Sequence, residues 1–151
     1  MSEFLNRADW TLPIPIRYGP GRIQELGKIC LENGVKEPLI VTDQGSLFLP
    51  FITQALESIS NSGFKEVIFS QVAQNPTDQN IMAGRETFLE GGHDAVIAIG
   101  GGSGMDAGKA ISLVANYKCD LWDFDYDKPL PDLGYPTNFP ALICIPTTAG
   151  T

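Results

Sequence analysis

Over residues 11–18 the apolar side chains Leu12, Ile14, Ile16 and Tyr18 alternate with Thr11, Pro13, Pro15 and Arg17, which is the period of a strand. Both prolines fall on one face of the alternation and lack an N–H donor, so an edge strand is predicted. Past the Gly19-Pro20-Gly21 turn the period changes. Ile23, Leu26 and Cys30 recur at helical spacing until Asn33-Gly34 stops them. Residues 38–42 form a short apolar strand that ends at Asp43. Phe48, Phe51, Ile52, Ala55, Leu56 and Ile59 make a helical stripe closed by Asn61-Ser62-Gly63, with Pro50 allowed only in the first turn. Residues 67–69 read as a strand, and Asn75-Pro76-Thr77 as a turn with Thr77 or Asp78 as the next N-cap. A weaker helix covers 79–90 and ends at Gly91-Gly92. The run Ala95-Val96-Ile97-Ala98-Ile99 has no polar member, as expected of a strand buried on both faces. Gly100, Gly101, Gly102 and Ser103 follow, and then a helix with Ala107, Ile111, Val114 and Ala115 on one face. Residues 120–139 are rich in Pro, Asp and aromatics and read as an irregular connection; residues 141–145 read as a final buried strand. Strands alternating with helices predict βαβ units and a doubly wound, mostly parallel α/β sheet in one domain over residues 1–151.

In such a sheet ligands sit beyond the carboxyl ends of the strands. Those ends hold Asp43, Asn75, the glycine segment from Gly101 and Gly102 through Ser103, Gly104, Met105 and Asp106, and the Thr147, Thr148 and Thr151 segment. The strand–glycine–helix element aims backbone N–H groups and the positive end of a helix at one volume, which suits a phosphate. A P-loop does not fit, because Ser103 stands where its first glycine belongs and Ala110 replaces the hydroxyl after Gly108-Lys109. The dinucleotide fingerprint can be laid only loosely on Gly102, Gly104 and Ala107. Asp43 can accept from ribose hydroxyls or cap a helix. Asp106, placed in the first turn of the central helix, compensates its dipole, and Lys109 reaches a phosphate or pairs with Asp106. Asp123, Asp125 and Asp127 lack the glycine and glutamate of a calcium loop, having Lys128 and Gly134 there, and read as a solvated acidic face. His93 is the single histidine, too few for a catalytic metal site, and the sequence shows no Ser-His-Asp or Cys-His constellation.

The net charge of −8 opposes nucleic acid and anionic membrane as partners. No apolar run is long enough for a membrane span, and no signal peptide opens the chain. Cys30, Cys119 and Cys144 lack CxxC spacing and are expected to be reduced and buried, in a cytoplasmic protein.

The segment GGGSGMDAGKAI resembles the GGGSxxDxxKA signature of the iron-containing, group III alcohol dehydrogenases. Val41-Thr42-Asp43, Asn75-Pro76-Thr77 and the closing Ile145-Pro146-Thr147-Thr148-Ala149-Gly150-Thr151 occur in the order that family shows. The resemblance implies a Rossmann-like, dinucleotide-binding first domain with Asp43 facing the adenosine ribose and the TTAGT segment lining the cofactor cleft. It implies hydride transfer between a primary alcohol or diol and nicotinamide, giving an aldehyde. Iron or another divalent metal, held by one Asp and three His of a second, helical domain, would polarise the alcohol oxygen. Those ligands are absent from these 151 residues, so the chain alone is expected to be inactive. NAD is expected rather than NADP, because Asp43 would face a 2′-phosphate and no basic residue adjoins it. A homo-oligomer is expected through the edge strand. The alternatives are a relative similar to glycerol dehydrogenase or dehydroquinate synthase, and a nucleotide-binding module without catalysis.

Overall fold

The computed structural model describes residues 7–11 and 13–149. At its N-terminal end β1 (Ala8–Trp10) and β2 (Ile16–Tyr18) pair antiparallel as a separate ribbon. The alternation over 11–18 is therefore realised only in β2, and away from the main sheet. Pro13 and Pro15 precede the ladder, which they could not enter as donors; Leu12 lies outside the described residues. Arg22, in a 3-10 turn (Arg22–Glu25), ties the ribbon down: it lies 2.5 Å from the Asp9 carboxylate and 2.8 Å from Glu25, and donates to the Ala8 carbonyl. The hydrogen bond from Arg22 holds the Glu25 carboxyl below the usual carboxylate range.

That turn runs into α1 (Leu26–Glu32). Then β3 (Pro38–Val41), α2 (Pro50–Asn61), β4 (Ile68–Phe69), α3 (Asp78–Glu90), β5 (Ala95–Gly100), α4 (Gly102–Val114) and, after a 3-10 turn (Leu121–Phe124), β6 (Ala141–Pro146) follow. Pro50 occupies the first turn of α2, where its missing N–H costs nothing. Thr77 caps α3 reciprocally with Asn80, which fills the donors that the start of a helix leaves open. The four strands β3 to β6 are parallel, in the order β4-β3-β5-β6. Leu39, Val41 and Val96 meet Phe88 and Ile111 on the face of α3 and α4. Ile40, Ile97 and Ile99 meet Leu26, Ile52 and Ile59 on the face of α1 and α2. Helices on both faces explain why β3 and β5 are apolar at every position and buried throughout. Each fully buried Leu or Ile contributes roughly 1.5–3 kcal/mol.

Helix α4 lies directly on β5. A Cβ at Gly108 would sit 2.4 Å from the Ala98 Cβ. Gly108→Ala recovers about 1 kcal/mol of helix propensity, but the overpacking costs about 3 kcal/mol. A net loss of about 2 kcal/mol in urea unfolding is expected; unchanged stability would contradict this close approach.

Residues 141–145, expected to be buried, are not. Exposure alternates along β6, and Leu142 is 41% exposed. Register sets Leu142 beside Val96 and Cys144 beside Ala98, on the side of α4. Being last in the strand order, β6 has a neighbour on one side only. Cys144 is thus an exposed thiol and Cys119 a half-buried one, contrary to the expectation of three buried cysteines. Only Cys30 is sealed, and burial, with the Asp94 charge nearby, pushes its thiol up to about 11. Among the described residues no helix is long and apolar enough to cross a membrane.

Candidate functional site

The strand order reverses between β3 and β5: the connection that leaves β3, through α2, leads outward to β4, and the one that leaves β5, through α4, leads the other way to β6. A crevice opens where such connections diverge. A cleft of ≈ 670 Å³ occupies this place, lined by residues 43–46 after β3, Val72 and Gln74 after β4, residues 101–103 after β5, and Thr147 and Thr148 after β6, with Leu49 and Phe51 at its side.

Gly101 is the N-cap of α4 and has no side chain to cap with. The first intrahelical bond runs from Met105 N–H to the Gly101 carbonyl, 3.0 Å. The earlier N–H groups of the helix have no partner within it and open on the cleft. A Cβ at Gly102 would meet nothing within 4 Å. Gly100 has φ 144°, a backbone conformation that L side chains rarely adopt, and a Cβ there would sit 3.0 Å from the Asp43 carboxylate. Thr147 N–H donates to the Gly100 carbonyl, and this bond sets the threonine segment against the glycine turn.

Asp43 is half-buried and does both things the sequence allows. It lines the cleft, and it closes the turn that follows by accepting from Ser46 N–H at 3.0 Å and Ser46 Oγ at 2.7 Å. Ser103 lines the cleft and its hydroxyl donates to the Gln74 carbonyl. Four expected residues are not in the lining. Gly104 is packed under the turn, where a Cβ would lie 2.8 Å from the Ile99 carbonyl. Met105 and Asp106 follow it down the helix, and Asn75 is exposed beside Gln74, the residue that faces Ser103. Asp106 is also not in the first turn, because α4 begins at Gly102; it pairs with Lys109 at 3.5 Å on the surface. Thr151 lies outside the described residues. The lining adds Gln44, Gly45, Ser46, Leu49, Phe51, Val72 and Gln74, of which Gln44 adjoins Asp43 and Gln74 adjoins Asn75.

Among the described residues no group of three or more His, Cys, Asp or Glu could hold a metal ion. His93 bonds through Nδ1 to the Glu37 carbonyl, 3.0 Å, at the end of the sheet opposite the cleft. The described residues do not fit the metal that the resemblance implies. Asp125 and Asp132 cap local turns at Asp127 and Gly134.

A parallel sheet wound by helices on both faces, with its cleft at the point of reversal, is a Rossmann-like architecture. The chain belongs to the iron-containing alcohol dehydrogenase family, whose model matches residues 13–151. It is 34% identical over 143 residues to choline dehydrogenase of Bacillus subtilis (strain 168), covering 93% of this chain and 34% of that protein. Its fold is similar to that of 1,3-propanediol oxidoreductase, with a TM-score of 0.75 and 31% identity over 88% of this chain and 34% of the other. It is similar also to NADH-dependent butanol dehydrogenase A of Thermotoga maritima, with a TM-score of 0.72 and 26% identity over 88% of this chain and 32% of the other. The chain spans about a third of the length of the curated relatives it matches.

Proposed function

We propose that this chain holds the dinucleotide of an iron-type alcohol dehydrogenase, in a whole protein that passes hydride between a primary alcohol or diol and the nicotinamide ring. The observation that carries the reading is the uncapped N-terminus of α4, which opens on a cleft at the sheet's point of reversal. The pyrophosphate accepts from the N–H groups of residues 102–104, the threonine hydroxyls of 147 and 148 close over the same volume, and the Asp43 carboxylate accepts from the adenosine ribose. Met105 and Asp106 belong to α4 rather than to the lining of the cleft. The cofactor is NAD. Two cations able to neutralise a 2′-phosphate are engaged elsewhere: Arg85 donates to the Tyr117 carbonyl, and Lys109 pairs with Asp106. The butanol dehydrogenase named above is NADH-dependent, which favours the same choice.

The metal and the alcohol belong to protein beyond these residues, and this chain by itself does not turn over. The pure 151-residue chain, given alcohol, NAD and a divalent metal, is expected to form no NADH above the blank; metal-dependent NADH formation would contradict this division of labour. We also propose a homo-oligomer in the cytoplasm, formed through the ribbon. Ile14, Ile16 and Tyr18 are 63%, 45% and 46% exposed there, an apolar row that burial in a second copy would remove from water. Light scattering that gives a monomer mass across micromolar concentrations would end this idea.

A further inference from the structure

We infer that Ser46 is a positioning residue for cofactor choice: it fixes the Asp43 carboxylate in the orientation that admits a ribose hydroxyl and rejects a ribose phosphate. The inference rests on the NAD reading above and deepens it. Ser46 is 8% exposed, yet it belongs to the lining of the cleft. Its hydroxyl donates to one oxygen of Asp43 at 2.7 Å and its N–H to the other at 3.0 Å, so the carboxylate is gripped on both sides. Among the described residues Asp43 forms no ion pair. Two neutral donors of one residue thus orient the charge without cancelling it.

The donor itself is held. Ser46 N–H also reaches the Asp43 main-chain carbonyl at 3.1 Å, Leu49 N–H bonds to the Ser46 carbonyl at 2.9 Å, and Gln44 N–H bonds to the Val72 carbonyl at 3.2 Å. A Cβ at Gly45 would stand 3.2 Å from the carboxylate. The turn is thereby anchored at Val72, past β4, and at Leu49, the N-cap of α2. A carboxylate accepts through two lone pairs on each oxygen. With one on each taken by Ser46, the others remain for the two hydroxyls of a ribose. Without the hydroxyl of Ser46, the carboxylate keeps one tether, at the N–H, and can turn away from a 2′-phosphate. The ability to reject NADP then falls while affinity for NAD changes little.

The test is titration of NADH and NADPH into the wild-type chain, Ser46→Ala, Ser46→Thr and Asp43→Gly, read by nicotinamide fluorescence. Losing one of the two tethers is expected to remove part of the roughly tenfold to hundredfold preference that the Asp43 charge supplies, lowering it about fivefold in Ser46→Ala through tighter NADPH binding, and Ser46→Thr, which keeps the hydroxyl, is expected to restore it. A merely structural role weakens both ligands together and leaves their ratio alone. A wild-type ratio that survives in Ser46→Ala but collapses in Asp43→Gly overturns the role of Ser46 and leaves Asp43 as the selector. A wild-type chain that takes both ligands equally overturns the NAD reading and this inference with it.

Discussion

Replacing Gly102 with valine is expected to leave the fold intact and to remove dinucleotide binding. The first half follows from space. A Cβ at this position meets nothing within 4 Å, and φ lies outside the left-handed region, so valine enters without strain. Surface changes of this kind stay within about 0.5 kcal/mol. The second half follows from where the open space lies. It is the part of the cleft above the free N–H groups of α4, and two branched methyls fill it. A charge-assisted hydrogen bond contributes about 1.5–3 kcal/mol, so losing two lowers affinity by roughly a hundredfold or more. Calorimetry with NADH, beside a melting curve for each protein, reads both halves. Unchanged affinity in a folded Gly102→Val protein would move the phosphate elsewhere. The contrast is Gly104, two residues on, where a side chain collides with the Ile99 carbonyl and the fold suffers first.

Replacing Asp43 with glycine is expected to shift choice toward NADP. A carboxylate about 4 Å from a 2′-phosphate repels it by roughly 4 kcal/mol at an effective dielectric of 20. Solvent and salt at a half-open rim leave about half, near 2 kcal/mol, or about tenfold to hundredfold in relative affinity. Glycine also removes the acceptor that closes the turn at Ser46, so some stability goes with it. Asp43→Asn separates the two effects. Its amide keeps an acceptor for Ser46 N–H while the charge is gone, and it is expected to show the shift with less loss of stability. Relative affinities for NADH and NADPH that match wild type in both variants would reduce Asp43 to a turn cap.

The central part of the fold was legible because its signals are local and agree. An unbroken apolar run into a glycine cluster and then a helical stripe admits one reading, and β5, the turn and α4 lie where it puts them. Pro50 and Thr77 mark helix starts for reasons of backbone chemistry, and both stand at helix starts in the fold. What depends on neighbours was hidden. Ala141-Leu142-Ile143-Cys144-Ile145 is as apolar as β5, but burial needs a strand on each side and a helix above, and no run of residues states that. At the N-terminus the alternation held only over β2, and its partner stayed hidden because β1, Ala-Asp-Trp, is too short at three residues for its pattern to stand out. The site divides in the same way. Asp43, Gly101, Gly102, Ser103, Thr147 and Thr148 were chosen because they stand at strand ends, and all six line the cleft. Asn75 drew notice because Asn-Pro is a recognisable turn, whereas Gln74 carried no signal, its contact with Ser103 using a main-chain carbonyl that any residue supplies. Ser46 carries no mark at all until the turn is folded.

The most direct measurement is an amide-resolved NMR titration of the chain with NAD. Shifts are expected at residues 101–103, at residues 44–46 and at Thr147 and Thr148, while the ribbon and Arg22 stay unmoved. Saturating NAD that leaves the start of α4 unperturbed, or that shifts only amides at the opposite end of the sheet around Glu37 and His93, would contradict a dinucleotide site at the point of reversal.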